Sequence, residues 1–145
     1  MRRLLQAGLV LGALAIGGCA SAPARTPGNY VSQNAAVFQI TEAQADRILV
    51  EAMNVEFGNS PIVRVEHPNR GYQATISFLL DSHQIVATMV PSKGRAGDGS
   101  TRDGYAFDVR HTGTMPLSGM ARAGRLRERL SRAGEALSPS VPVVR

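Results

Sequence analysis

The residues best suited to chemistry in this chain are two histidines, His83 and His111, with Asp81 beside the first. Imidazole binds metal ions and exchanges protons near neutral pH. Two imidazoles and one carboxylate can ligate a metal or share a proton. These residues lie far apart along the chain, so only the fold can bring them together. Asp81 and Ser82 form a tight turn between two runs of alternating apolar and polar residues. His111 closes a later run of the same kind. In an antiparallel meander, that turn and that exit fall at one end of the sheet. His83 shares parity with Ile85, and His111 with Val109, so both rings are expected on the apolar face. The spacing matches no established signature, and histidines at strand ends are commonly structural. His67 falls at the other end and reads as a surface residue.

Two other segments carry glycine or charge in patterns that chemistry uses. Residues 91–104 hold Gly94, Gly97, Gly99 and Gly104 among Lys93, Arg95 and Arg102. Backbone amides of such loops can cradle phosphate, but this one does not join a strand to a helix. A calcium loop starting at Asp98 fails too, because Arg102 would take a ligand position and Asp103 the turn glycine. A mobile hairpin connection is the expectation. Farther on, Arg122, Arg125, Arg129 and Arg132, with Arg127 adjacent, fall along one side of an expected helix. Such a row can rest on anionic lipid. Glu128 and Glu135 offset it, and the helix's apolar stripe is small and without aromatics, so a solvated face is the plainer expectation. The chain has no HExxH, GxSxG, P-loop or GxGxxG motif. We expect no cofactor and a non-enzymatic protein. The alternative is a small enzyme or metal-dependent ligand binder built on Asp81, His83 and His111.

The single cysteine, Cys19, can form neither an intrachain disulfide nor a CxxC site. Its surroundings offer another role. Arg2 and Arg3 give a positive start, and residues 4–16 are apolar apart from Gln6 and small glycines. The run falls short of the roughly 20 residues a bilayer span needs, which is the pattern of a signal peptide. Ile16-Gly17-Gly18-Cys19 then sets an aliphatic and two small residues before the cysteine. This segment resembles the lipobox of bacterial envelope lipoproteins. The resemblance implies cleavage before Cys19, a diacylglyceryl group on its sulfur and acylation, as with palmitate, of the new N-terminus. Two or more acyl chains hold a protein stably at a membrane, at about 0.8 kcal/mol per buried CH₂. Ala20 stands where enterobacterial lipoproteins retained at the inner membrane carry Asp. The resemblance therefore implies the outer membrane, on its periplasmic leaflet. It covers the first 19 residues and implies no family for the rest of the 145.

The formal net charge is +5, and two of those charges are Arg2 and Arg3, so the chain after Cys19 is only mildly basic. Aromatic residues make up 5% and Trp is absent. Basic residues interleaved with stacking aromatics are therefore missing, and no nucleic-acid partner is expected. The expected partners are the membrane, through the lipid anchor, and another envelope protein.

Residues 20–36 are rich in Pro, Ala, Ser and Asn and read as a linker spanning roughly 20–25 Å. A helix begins near Thr41, whose spacing to Gln44 is that of a capping box. Ala45, Ile48, Leu49, Ala52, Met53 and Val55 form its apolar stripe, and Gly58, Asn59 and Pro61 end it. Four alternating runs follow. The first, 62–67, sets Val63 and Val65 on one side. The second, 72–80, points Tyr72, Ala74, Ile76, Phe78 and Leu80 inward. The third, 84–90, does so with Ile85, Ala87 and Met89, and the fourth, 105–110, with Tyr105, Phe107 and Val109. A second helix, about 117–137, carries Met120, Ala123, Leu126, Leu130, Ala133 and Leu137 as its stripe.

The expected fold is α+β: a two-layer, four-stranded antiparallel meander with two helices packed on one face, in the order α-β-β-β-β-α. The signal peptide takes residues 1–18, lipidated Cys19 and the linker 19–36, the domain 37–137 and an extended tail 138–145. Val141-Pro142-Val143-Val144 could join a sheet edge, but a disordered end is the expectation.

Overall fold

The structure, a computed structural model, describes residues 35–78, 81–113 and 116–144. The signal segment, Cys19 and nearly all of the linker lie outside them. The elements in chain order are β1 (Ala36–Phe38), α1 (Glu42–Phe57), β2 (Ile62–Val65), β3 (Gly71–Phe78), β4 (Asp81–Arg95), β5 (Thr101–Gly113), α2 (Pro116–Leu137) and β6 (Ser140–Pro142). The fold is α+β, with two helices and one antiparallel sheet. The sheet has six strands where four were expected, in the order β2-β3-β4-β5-β1-β6. No helix among the described residues is long and apolar enough to cross a membrane.

α1 starts as its cap dictates. The Thr41 hydroxyl accepts the Gln44 amide at 3.3 Å, and the Gln44 side chain accepts the Thr41 amide at 2.8 Å. Two donors that the first turn leaves without helical partners are thereby satisfied. Ala45, Ile48, Leu49, Ala52, Met53 and Phe57 are buried on one stripe. Val55 was expected among them but is 64% exposed. Two residues past Met53 turns a side chain about 200° around the axis, and Phe57 takes the last inward place instead.

The meander pairs β2 with β3, β3 with β4 and β4 with β5, all antiparallel. Ala74, Ile85, Ala87, Met89 and Val109 point into one core with the inward residues of α1 and with Ala123, Leu126 and Leu130 of α2. Both helices thus share this sheet face. Parity sets the facing in β2, and two expectations in α2 are corrected. Ile62 pairs with Ala74, so β2 turns Ile62 inward and Val63, 58% exposed, outward. Strand parity settles this, because one face fixed by a neighbour fixes every residue along the strand. In α2, Met120 and Leu137 are exposed at the two ends of the stripe, where the helix runs past the sheet.

The expected loop at 91–104 is mostly strand. β4 and β5 pair without a break from His83↔Gly113 to Arg95↔Thr101, leaving a short turn at residues 96–100. Gly99 takes φ +82° there, and Asp98 accepts the Ser100 amide at 2.9 Å. Gly94 and Gly104 serve packing. A Cβ on Gly94 would lie 2.2 Å from Val141, and one on Gly104 would lie 2.2 Å from the Phe38 carbonyl.

The expected tail also belongs to the sheet. β6 pairs with β1 through Ala36↔Pro142, Val37↔Val141 and Phe38↔Ser140. Beyond it, Val143 bridges to Gly94, and the Val144 amide donates to the Lys93 carbonyl at 2.7 Å. The outer half of the β4–β5 hairpin therefore rolls with β1 and β6 until β6 meets β4 again. Val37, Val90 and Ala106 are fully buried in this roll, on the sheet face away from the helices.

Candidate functional site

His83 lies on β4 between Ile76 of β3 and Gly113 of β5. His111 lies on β5 opposite Ile85. Both strands direct them to the helix-covered face, and the rings meet edge to face with centroids 5.5 Å apart. The structure thus brings together the two histidines singled out by parity. Asp81 pairs through its backbone with Phe78, and its side chain lies outside the described residues.

His83 sits inside the fold, and His111 is half-buried beside it. His83 is 3% exposed. Neither of its ring nitrogens has a hydrogen-bond partner, and nor does Nε2 of His111. Such orphaned buried groups are rare in folded proteins, because each gives up hydration without a replacement.

α2 closes the site from above. A Cβ on Gly119 would lie 1.8 Å from His111 Nε2, so the helix backbone rests against the ring edge at the one residue type that leaves room. Below, Gly113 at φ +130° passes so close to His83 that a Cβ there would come within 2.5 Å of the His83 Cα. Burial pushes the His83 pKa below its ordinary 6.5, with His111 and then Arg122 adding to the effect.

The Asp81 carboxylate lies outside the described residues, so the set Asp81, His83 and His111 stands as a proposal. Among the described residues, no three His, Cys, Asp or Glu side chains converge where they could hold a metal ion. Nε2 of His111 faces helix backbone, and the Arg122 charge acts against a bound cation. A substrate has no way to a ring that is 3% exposed. His83 packs edge to face against His111 within the fold.

The arginine row is largely engaged within the domain. Arg125 donates twice to Glu56 of α1, at 2.7 and 3.0 Å, and the Glu56 side chain is only 8% exposed. Arg132 pairs with Glu128 one turn back. Arg127 donates to the Val109 carbonyl at 2.6 Å. Arg122 is half-buried, and its charge acts on His83. Arg129 is exposed. Arg125, Arg127, Arg129 and Arg132 nonetheless keep exposed side chains, so these pairings lower the row's free charge without hiding it.

Two surface features were not legible in the sequence. An apolar groove of about 260 Å³ lies between α2 and β1, lined by Phe38, Phe107, Val109 and Leu130 with Arg127 and Asp108 among its polar groups. A polar hollow of about 240 Å³ joins the start of α1 to the β2–β3 turn. There Arg70 bridges Glu42 and Glu66, which holds the Glu66 carboxyl below its usual range. Nearby, the Tyr72 hydroxyl donates to Asp46 at 3.2 Å; burial and that carboxylate raise its pKa. Both features join residues distant in the chain, and no local pattern announces them. No family model, curated protein or solved structure matches this chain.

Proposed function

We propose that this protein is a lipid-anchored envelope lipoprotein whose domain binds or scaffolds another component of the cell envelope without catalysing a reaction. The observation that carries the reading is the leader, with Arg2 and Arg3, a short apolar run and Ile16-Gly17-Gly18 directly before the only cysteine. On this reading Cys19 carries the acyl chains, and Ala20 directs the protein to the periplasmic face of the outer membrane. The domain is tethered within roughly 20–25 Å of the lipid by its linker. The domain geometry supports the non-catalytic part. Of the two histidines, His83 is 3% exposed and its ring nitrogens have no hydrogen-bond partner, which leaves it poorly placed to meet a substrate.

The test is metabolic labelling with an alkynyl palmitate, followed by detergent phase partition. The native protein is expected to take the label, to be shortened by its leader and to enter the detergent phase. Cys19→Ser is expected to lose the label and to stay with unprocessed or aqueous material. Unlabelled native protein in the aqueous phase overturns the proposal.

A further inference from the structure

We propose that His83 is an acid-sensitive latch, which seats the first turns of α2 on β4 and β5 through His111 while its ring is neutral and releases them when it is protonated. The inference is independent of the lipid anchor.

Three observations carry it. The first is the absence of a home for a proton. An imidazolium presents two N–H donors, and both nitrogens of His83, with Nε2 of His111, already lack acceptors. Protonation would add a charge and a donor where neither can be satisfied, and such a buried charge is costly. The second is the set of groups facing the pair. β5 presents the other histidine, α2 presents Arg122, and β3 presents Ile76 opposite His83. The Asp81 backbone lies two residues before His83 on the same strand. Arg125, one turn beyond Arg122, is already neutralised by Glu56 of α1. The pair also lies under the start of α2, and a helix N-terminus carries partial positive charge. The two charges that act on His83 thus both oppose a proton.

The third is the unequal seating of α2. Its later part is held firmly: Leu126 and Leu130 are buried, Gly134 lies on the Phe38 ring, and Arg127 grips the Val109 carbonyl. Among the described side chains, the earlier part has only Gly119 and Ala123 facing the sheet, while Met120 is 62% exposed. Small residues give little apolar burial and little hold. The cheapest way for a protonated ring to reach water is therefore to lift this end of the helix off Gly119 and leave the rest docked. The result is a local opening of the kind native proteins make well below their global unfolding energy.

Hydrogen exchange of the full-length protein in detergent micelles, read by mass spectrometry between pH 7.5 and 5, tests this. Rates are corrected for intrinsic exchange. Protection of residues 116–126 is expected to fall by up to about tenfold per pH unit as one proton opens the helix. The central strands and residues 127–137 are expected to hold their protection. Unchanged protection of 116–126 at pH 5 overturns the latch. So does loss of protection in all segments together, which is global acid unfolding. His83→Leu is expected to abolish the pH dependence. Should that variant fail to fold, histidine Cε1–H titration of the native protein decides the matter. His83 protonating at or above the ordinary histidine value would also overturn the proposal.

Discussion

At Gly119 a hydrogen in place of a methyl allows α2 to lie on His111. A Cβ there would stand 1.8 Å from Nε2, closer than any real contact. Gly119→Ala should therefore destabilise by about 1–3 kcal/mol through overpacking, despite the gain of about 1 kcal/mol that alanine brings to a helix. Gly124 on the same helix is the control, since a Cβ there meets nothing within 4 Å. Gly124→Ala should stabilise by up to about 1 kcal/mol. Urea unfolding of both variants reads the difference. Adding His111→Ala to Gly119→Ala should restore much of the loss, because the two sites are in contact and their effects do not add. A stabilised Gly119→Ala would show that the helix is not seated on the ring. His83 adds a pH dependence whose sign follows from its burial. Its folded pKa is below the ordinary 6.5, so the unfolded chain takes up the proton first as pH falls. Stability is then complete above about pH 6.5 and declines from there toward the lowered folded value, at most about 1.4 kcal/mol per pH unit for one proton. Urea midpoints at pH 7.5 and 5.5 would show this slope, and His83→Leu should flatten it.

Among the elements, β6 makes the strongest demand on the fold despite its three residues. It pairs with β1, and the chain just past it bridges to β4, which closes the roll over Val37 and Val90. Removing residues 139–145 should uncover these valines and cost on the order of 2 kcal/mol or more, measured as a lower urea midpoint. An unchanged midpoint would mean that β6 does not close the roll. The same element shows where the sequence could be read and where it could not. α1 was legible because a stripe and a capping box agreed on its start at Thr41. The central strands were legible because one buried face alternates with one wet face. β1 and β6 were not, since three residues hold no period. Residues 91–104 misled for another reason. Gly94 and Gly104 read as flexibility, yet they are glycine because Val141 and the Phe38 carbonyl pass too close for a side chain. At the site, parity correctly placed His83 and His111 side by side. Their depth was hidden, because it depends on Gly119 of a helix that follows later in the chain.

For the whole molecule, the decisive division is between the anchor and the domain. The arginines that could have served as a second hold on lipid are mostly occupied: Arg125 by Glu56, Arg132 by Glu128 and Arg127 by the Val109 carbonyl. If acyl chains on Cys19 are the attachment, membrane binding depends on that one residue, since two or more chains anchor stably and a depleted basic face adds little. A Cys19→Ser protein exported through an ordinary signal should therefore leave the membrane fraction completely, even at low salt. Partial retention that salt removes would instead show that α2 touches the headgroups. The same pair of proteins tests the scaffold reading through crosslinking in living cells. On the proposed anchor, a linker of this length would keep the domain within roughly 20–25 Å of the lipid, so a partner embedded in or lying on that membrane would be met at a high effective concentration. A defined crosslinked partner is expected with the native protein and should weaken sharply with Cys19→Ser, although the domain itself is unchanged. Equal crosslinking by the anchored and released forms would mean that the domain finds its partner unaided, and that the lipid sets the address without setting the interaction.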